Sequence, residues 1–451
     1  MESNKQNLVF RGMAILVLTV IFPLLISCPL FGESAQRIEP KYILNKVWTI
    51  QMDSLRATKG SPLQIANNLY LADSTRHDAD HNMSISLEKI DITNGEQIWR
   101  SPPVPYSEDS SVSEWNGYLF IHAIDNSYND GYLLCYDEKT GMQKATIRLG
   151  DSIEEAQDNS CWGSGMASTG NGLYWGSVSK RVNGAGLLYF DPTAIDFTLS
   201  SEQVQDIKPT LVVPTNLGIR TCPVEDNGMI FFLTHNLKYK DPNAIQSQLG
   251  AWDSKDGKIA WMLETPYFTG RSPHSLDVVG EILYIIDTTS PGAFDKRNGT
   301  VRFVNDRKNS NPAKKFHLGC SLISTGFTVS DGKIYYTNHM HSSTPSITDI
   351  PWDMVYNIVC IDAETGDLVW KNRPQGVFAS LGTFPIVKDG KSYWVTDCGL
   401  RVYDAETGDL IGVDDSVVSY GKEHPAYYEG IMVFKDNDYT DNTSVLTAIR
   451  I

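Results

Sequence analysis

Cysteine pairs spaced for metal or redox work are missing from this chain. None of its seven cysteines forms a CxxC or stands next to another, so neither a zinc-ribbon nor a thioredoxin-type motif is present. Basic residues are outnumbered, 38 Lys and Arg against 54 Asp and Glu, for a formal charge of −16. That balance excludes nucleic acid as the main partner, because phosphate binding requires a basic face. A glycine-rich phosphate loop and a nucleophile elbow are also missing, and no Ser–His–Asp set can be assigned from residue order. Low-complexity blocks and long runs of one charge do not occur. With 41% hydrophobic and 20% charged residues, the composition is that of a folded body. Even the longest apolar stretch, Gly12 to Ser27, is broken by Pro23 and falls short of the roughly 20 residues that span a bilayer.

What is present begins with that stretch. Lys5 and Arg11 supply a positive leader to it, and together they read as a targeting signal over residues 1–27. The signal ends in Leu25-Ile26-Ser27-Cys28, which resembles the lipobox of bacterial lipoproteins. The resemblance implies cleavage after Ser27 and acylation of Cys28, with an ordinary secretory signal and an incidental cysteine as the alternative. Residues 28–42 then form a linker from the lipidated cysteine, and residues 43–451 form the body. An acidic body does not hold anionic lipid by charge, so the acyl chains are expected to do the anchoring. The two residues after Cys28 are not acidic, which favours the outer membrane of the cell envelope. Among the other cysteines, Cys135 and Cys360 precede a repeat Asp by two residues, where a small apolar side chain fits, and are expected as buried free thiols. Disulfide pairing cannot be read from the spacings.

The body is repetitive. CIDAETGDLVW (Cys360 to Trp370) returns almost unchanged as VYDAETGDLIG (Val402 to Gly412), and weaker copies are KIDITNGEQIW (Lys89 to Trp99), CYDEKTGMQKA (Cys135 to Ala145) and AWDSKDGKIAW (Ala251 to Trp261). Degenerate copies lie at Tyr189 to Phe197 and at Val301 to Asn305. Each good copy reads as a hairpin. Alternating apolar residues form a strand, Asp-x-x-Thr-Gly makes a turn with Gly at positive φ, and a second strand runs to the Trp. The turn residues are Asp91, Asp137, Asp253, Asp362 and Asp404, with Gly141, Gly257, Gly366 and Gly408. Asp191 and Asn305 are taken as the equivalents in the weak copies. A further hairpin precedes each of these, as at Lys388-Asp389-Gly390, so each unit has four strands.

Seven such units are visible. The chain then ends in SVLTAIRI without a final strand, and ILNKVWTI (Ile43 to Ile50) has the apolar pattern and the Trp48 to supply it. The expected fold is all-β: an eight-bladed β-propeller of four-stranded antiparallel blades, closed by the N-terminal strand joining the C-terminal blade, with seven blades as the alternative. Closure removes two open sheet edges. The Asp, Thr, Gly and Trp of these copies resemble the PQQ-like propeller repeat, over Ile43 to Ile451. In that family the Trp docks between blades, which the resemblance implies for Trp48, Trp99, Trp261 and Trp370; the second, third and seventh copies lack it. These residues are expected to be scaffold, not catalytic.

Function is expected on the long connections between second and third strands, Ser74 to Met83, Ile124 to Gly131, His235 to Ser247, Thr288 to Asn298, His339 to Tyr356 and Asp436 to Asn442, which all open on one face. Pro192 to Pro209 is the one long third-to-fourth connection. His77, His81, His339 and His341 sit in these loops but in blades that are not ring neighbours, and DNDYTDN (Asp436 to Asn442) lacks calcium-loop spacing. No metal site and no cofactor are expected. A lipoprotein signal followed by a PQQ-like propeller alone is similar to the propeller lipoprotein of the outer-membrane β-barrel assembly machine. That resemblance implies a non-enzymatic, membrane-anchored protein-binding scaffold, with an outer-membrane β-barrel complex or a related envelope complex as partner. The alternatives are a PQQ/Ca-dependent dehydrogenase-like oxidoreductase and a carbohydrate- or host-ligand-binding surface lipoprotein, for which Trp352 and Tyr239 are candidate loop aromatics.

Overall fold

The computed structural model describes residues 45–52, 63–76, 83–108, 111–126, 130–151, 155, 165–177, 186–215, 217–219, 221–235, 247–265, 268, 276–286, 291–305, 326–340, 355–372, 384–396, 399–416, 425–438 and 443–451. Residues 42–451 make one compact unit. Eight antiparallel sheets follow one another along it as the eight blades of a β-propeller. Blade 1 spans residues 63–100, blade 2 106–148, blade 3 167–214, blade 4 218–265, blade 5 276–304, blade 6 327–372 and blade 7 386–414. Blade 8 takes three strands from residues 426–450 and its fourth, Asn45–Met52, from the other end of the chain. Side chains alternate along each strand, so every blade buries both faces. In blade 1, Tyr70, Ala72, Ile85 and Leu87 pack toward blade 2, whereas Leu69, Leu71 and Ile90 pack toward blade 8.

One local device recurs in every blade that has a short third-to-fourth turn. The Asp carboxylate accepts the N–H two residues on, and in blades 2, 4, 6 and 7 also the N–H three residues on, as Asp362 does from Glu364 at 2.9 Å and Thr365 at 2.8 Å. The bond from Thr365 N–H holds the Asp362 carboxyl below the usual carboxylate range. The Gly four residues after the Asp takes positive φ, +72° at Gly366, and returns its N–H to the Asp carbonyl at 2.9 Å. Past the turn the pairing register slips by one residue. Cys360 faces Trp370 while Ile361 faces Leu368, leaving Val369 as the extra residue of a β-bulge. The same slip leaves Ile98, Lys144, Ala260, Arg302 and Ile411 unpaired in blades 1, 2, 4, 5 and 7. A bulge re-aims the residue that follows it, and here that residue points at the next blade.

The contact it makes is specific. Trp99 of blade 1 lies on Gly141 of blade 2, where a Cβ would meet the indole at 2.4 Å. Trp261 lies on Gly299, Trp370 on Gly408 and Trp48 on Gly95 in the same way. Each indole N–H donates to the carbonyl of the residue after the next blade's Asp: Trp48 to Ile92 at 2.8 Å, Trp99 to Glu138 at 3.2 Å, Trp261 to Lys296 at 2.9 Å and Trp370 to Ala405 at 3.0 Å. Opposite the bulge sits a small residue, Cys135 in blade 2 and Cys360 in blade 6, both buried free thiols. Burial pushes the Cys360 thiol up to about 12.

Blade 5 corrects the sequence reading. Its turn Asp is Asp295, not Asn305: Asp295 takes the Gly299 N–H at 2.8 Å, and its carboxylate accepts from Arg297 N–H at 3.0 Å. Asp295-Lys-Arg-Asn-Gly299 is therefore a complete copy with Asn in the Thr position, and Phe303 occupies the Trp position and lies on Gly366. Asn305 comes after the last strand, Val301–Val304, and donates its side-chain N–H to the Gly366 carbonyl at 2.6 Å. The supposed long loop Thr288 to Asn298 thereby contains the third strand, Pro291–Asp295, and the turn after it.

The junction of blades 2 and 3 is filled differently. Ala145 stands in the Trp position, and the long connection inside blade 3 crosses back to cover the site. Val204–Asp206 pairs parallel with Thr146–Arg148 at the outer edge of blade 2. Phe197 stacks on Tyr118 with centroids 4.8 Å apart, and Ile195 joins the core shared by the two blades.

Two glycines of blade 7 separate the energetic terms. Gly390 has φ +70° with open space at its Cβ position, and Gly408 has φ +75° with the Trp370 ring 2.6 Å from it. Gly390→Ala is expected to cost about 1 kcal/mol for the left-handed backbone alone. Gly408→Ala adds the displacement of Trp370 and is expected to cost about 3 kcal/mol or more. Urea midpoints of the two variants measure the difference, and equal midpoints would refute the docking account.

Candidate functional site

Antiparallel strands put the first-to-second and third-to-fourth turns at one end of every blade and the second-to-third connections at the other. The ring thus has a turn face and a connection face. Most of the long connections lie outside the described residues, and with them His77, His81, His341, Tyr239 and Trp352. His339 is the next-to-last residue of strand Lys333–Met340, and Asp436 lies near the end of strand Ile431–Asp438. Cys28 and the rest of residues 1–44 are also outside the described residues.

The turn face holds a cleft of about 580 Å³ where blades 1, 2 and 3 meet. Leu63, Ile65, Val112 and Met166 give it apolar walls, and Glu114 and Glu138 bring carboxylates to it. Its polar floor holds Tyr70 and Glu138, which form a three-residue set with Lys89. The Tyr70 hydroxyl donates to Glu138, and Lys89 bridges the same oxygen, Oε1, at 2.7 Å while its ammonium lies 5.3 Å from the Tyr70 ring centroid. Burial, reinforced by Glu138, raises the Tyr70 hydroxyl well above its ordinary range. Burial works against the Glu138 anion too, but the bonds from Lys89 and Tyr70 outweigh it and hold Glu138 below the usual carboxylate range. The set also joins blades, since Tyr70 and Lys89 belong to blade 1 and Glu138 to the turn of blade 2. Blade 6 is tied to blade 7 by different partners: Tyr335 donates to the Ala405 backbone carbonyl at 3.2 Å and Lys333, on the second strand, bridges Glu406 at 2.8 Å.

Other charged groups lie deeper. In blade 1, Arg100 bridges Asp73 and Glu88, each at 3.0 Å, with Asp73 fully buried. Among the described residues no three His, Cys, Asp or Glu side chains group so as to hold a metal ion. The scaffold positions Asp91, Asp137, Asp253, Asp362 and Asp404 all cap turns by accepting backbone N–H groups. Gly141, Gly366 and Gly408 lie under the ring of the neighbouring blade, whereas Gly257 has open space at its Cβ position. The Lys89–Glu138 link between blades escaped the sequence reading, although a Lys two residues before Asp91 and a Glu after Asp137 are its signal once the bulge register is known.

Residues 293–411 match the protein-family model described as outer membrane protein assembly factor BamB, which is a PQQ-type repeat family. The chain is similar to BamB. The matched segment starts two residues before Asp295, in step with the corrected register of blade 5. BamB of Burkholderia pseudomallei (strain K96243) is 22% identical over 63% of this chain and 75% of its own length. The crystal structure of BamB from Moraxella catarrhalis superposes with a TM-score of 0.56 at 13% identity, covering 91% of this chain and 98% of that one. A europium-containing methanol dehydrogenase superposes with a TM-score of 0.62 at 10% identity, covering 92% and 95%. At such identities these structures share the fold, which hosts binding proteins and enzymes alike.

His122, on the second strand of blade 2, is fully buried, and burial lowers its pKa to about 3. The folded chain keeps it neutral while the unfolded chain protonates it near its ordinary value. Its contribution is therefore intact above about pH 6.5, is lost progressively as pH falls toward about 3, and amounts to a few kcal/mol, on the order of the shift. His122→Gln is expected to flatten the fall in urea midpoint over that window relative to the parent chain, and parallel pH profiles would refute this.

Proposed function

We propose that the chain is a non-enzymatic protein-binding scaffold of the cell envelope, anchored by acylation of Cys28 and working in outer-membrane protein assembly or a related envelope complex. The observation that carries this reading is sequence likeness: residues 293–411 match the BamB family model and BamB of Burkholderia pseudomallei is 22% identical over 63% of this chain, while the superposition on Moraxella BamB adds a shared fold. The repeat residues support it. The turn Asp residues, the four docking Trp residues and most of the turn Gly residues are committed to holding blades together, and a rigid ring with one face of variable connections is a platform for partners. The non-acidic Pro29 and Leu30 after Cys28 support outer-membrane residence of the anchored chain, and the partner sought is a β-barrel assembly complex or another envelope protein.

The test is a mild-detergent pull-down of the full chain from its native membranes, beside a Cys28→Ala form, with bound proteins identified by mass spectrometry. Co-purification of an outer-membrane barrel and its assembly partners is expected, together with loss of the Cys28→Ala form from the membrane fraction. Failure to recover any envelope protein would overturn the scaffold reading and direct the next titration to PQQ with Ca²⁺, then to glycans.

A further inference from the structure

The cleft on the turn face lies away from the long connections, and nothing in the scaffold reading uses it. Its charge can be counted. Glu138 is neutralised by Lys89, whereas Glu114 has no cationic partner among the described residues: its carboxylate accepts only the Gly117 N–H, at 2.7 Å. Among the described residues, one anion without a cationic partner thus stands in a recess whose walls are Leu63, Ile65, Val112 and Met166. Ile65 is 36% exposed although it borders the recess. An apolar wall beside a single carboxylate suits a side chain with an alkyl stem and a cationic head, which is the chemistry of lysine and arginine. At about 580 Å³ the recess lies within the size range of ligand sites and exceeds what one such side chain fills, so the flanking residues of the ligand must enter too. The neighbouring backbone favours an extended chain. Strands Leu63–Ile65 and Ala167–Thr169 each end their sheet, and a terminal strand leaves one edge of N–H and C=O groups for another strand to use.

We infer that this cleft binds an extended peptide segment that alternates apolar and basic residues, with the basic head on Glu114 and the apolar neighbours on Ile65 and Met166. The site rests on the cleft alone and stands whether or not the chain works in outer-membrane assembly. The probe is a fluorescein-labelled Val-Lys-Val-Lys-Val amide, with Val-Glu-Val-Glu-Val as its counterpart, titrated at low salt with the full folded chain and read by fluorescence anisotropy. The lysine peptide is expected to bind and the glutamate peptide not to. Glu114→Gln is expected to weaken binding by about five- to tenfold, as loss of one partly exposed charge pair would. Ser168→Phe, which fills the recess, is expected to abolish it, and unchanged thermal melting of both variants shows that the ring is intact. If Ser168→Phe does not fold, Ile65→Asn tests the apolar wall and is expected to weaken binding in the same direction. Equal binding of the two peptides, indifference to Glu114→Gln, or no binding of the lysine peptide would each overturn the inference.

Discussion

The ring depends on an aromatic side chain of one blade lying flat on a glycine of the next. Two constraints meet at that glycine. Its positive φ closes the Asp-capped turn, and its missing Cβ leaves the plane on which the indole rests. Either constraint alone would favour glycine, and together they leave no other residue. The bulge one position before the Trp shifts the register there and re-aims the side chain that follows it. Area burial supplies the energy, as an aromatic side chain removed from water contributes roughly 2–3 kcal/mol. The indole N–H bond to the carbonyl beyond the Asp fixes the rotation of the ring, so neighbouring blades hold one angle.

Closure uses the same parts across the two ends of the chain. Lys46 pairs with Ile449 and Trp48 with Ala448, which leaves Val47 as the bulge residue. No turn connects these strands, so the bulge is not a by-product of the short hairpin; it belongs to the repeat, since blades 2 and 7 keep it with Ala145 and Gly412 in the Trp position. At the axis, the Gln64 side chain donates to the Tyr427 carbonyl at 2.7 Å and accepts the Tyr427 N–H at 2.9 Å, tying the inner strand of blade 1 to that of blade 8. Ser113 and Thr328 reach the next blade's backbone similarly, at Met166 and Pro385. An outer aromatic dock and an inner polar stitch therefore hold blade 8 to blade 1, a seam where the covalent chain is interrupted.

Much of this could be read from the sequence because the constraint is local. An Asp, a Gly four residues on and a Trp eight residues on are fixed offsets, and ILNKVWTI carries the apolar pattern and the Trp48 of a fourth strand for the eighth blade. Blade 5 was misplaced because Asn replaced Thr in the turn and Phe replaced Trp. Neither change alters the physics, since Asn tolerates the turn and a phenyl ring still lies on Gly366. A search by residue identity missed what a search by offset would have found. The cleft was not readable at all. Its walls come from residues 63–68, 112–117 and 166–168, which carry no shared pattern and meet only because three consecutive blades bring their turns to one place.

The two faces differ in how freely they can change. On the turn face the Asp and Gly set every short third-to-fourth turn, and where a ring of the preceding blade rests on that Gly, as at Gly95, Gly141, Gly299, Gly366 and Gly408, substitution disturbs two blades at once; the one long connection, in blade 3, fills the junction that lacks a Trp with Ile195 and an added strand. The connection face has no such obligation, and length can vary there without touching a dock. Specificity for a large partner is therefore most cheaply built on the connections. A recess on the turn face has the opposite character: its shape is inherited from the docks, and Glu138 serves both the blade junction and the cleft floor. A ligand bound there would feel the packing of blade 1 on blade 2 directly, so its affinity and the stability of that junction are linked through the Tyr70–Glu138–Lys89 set.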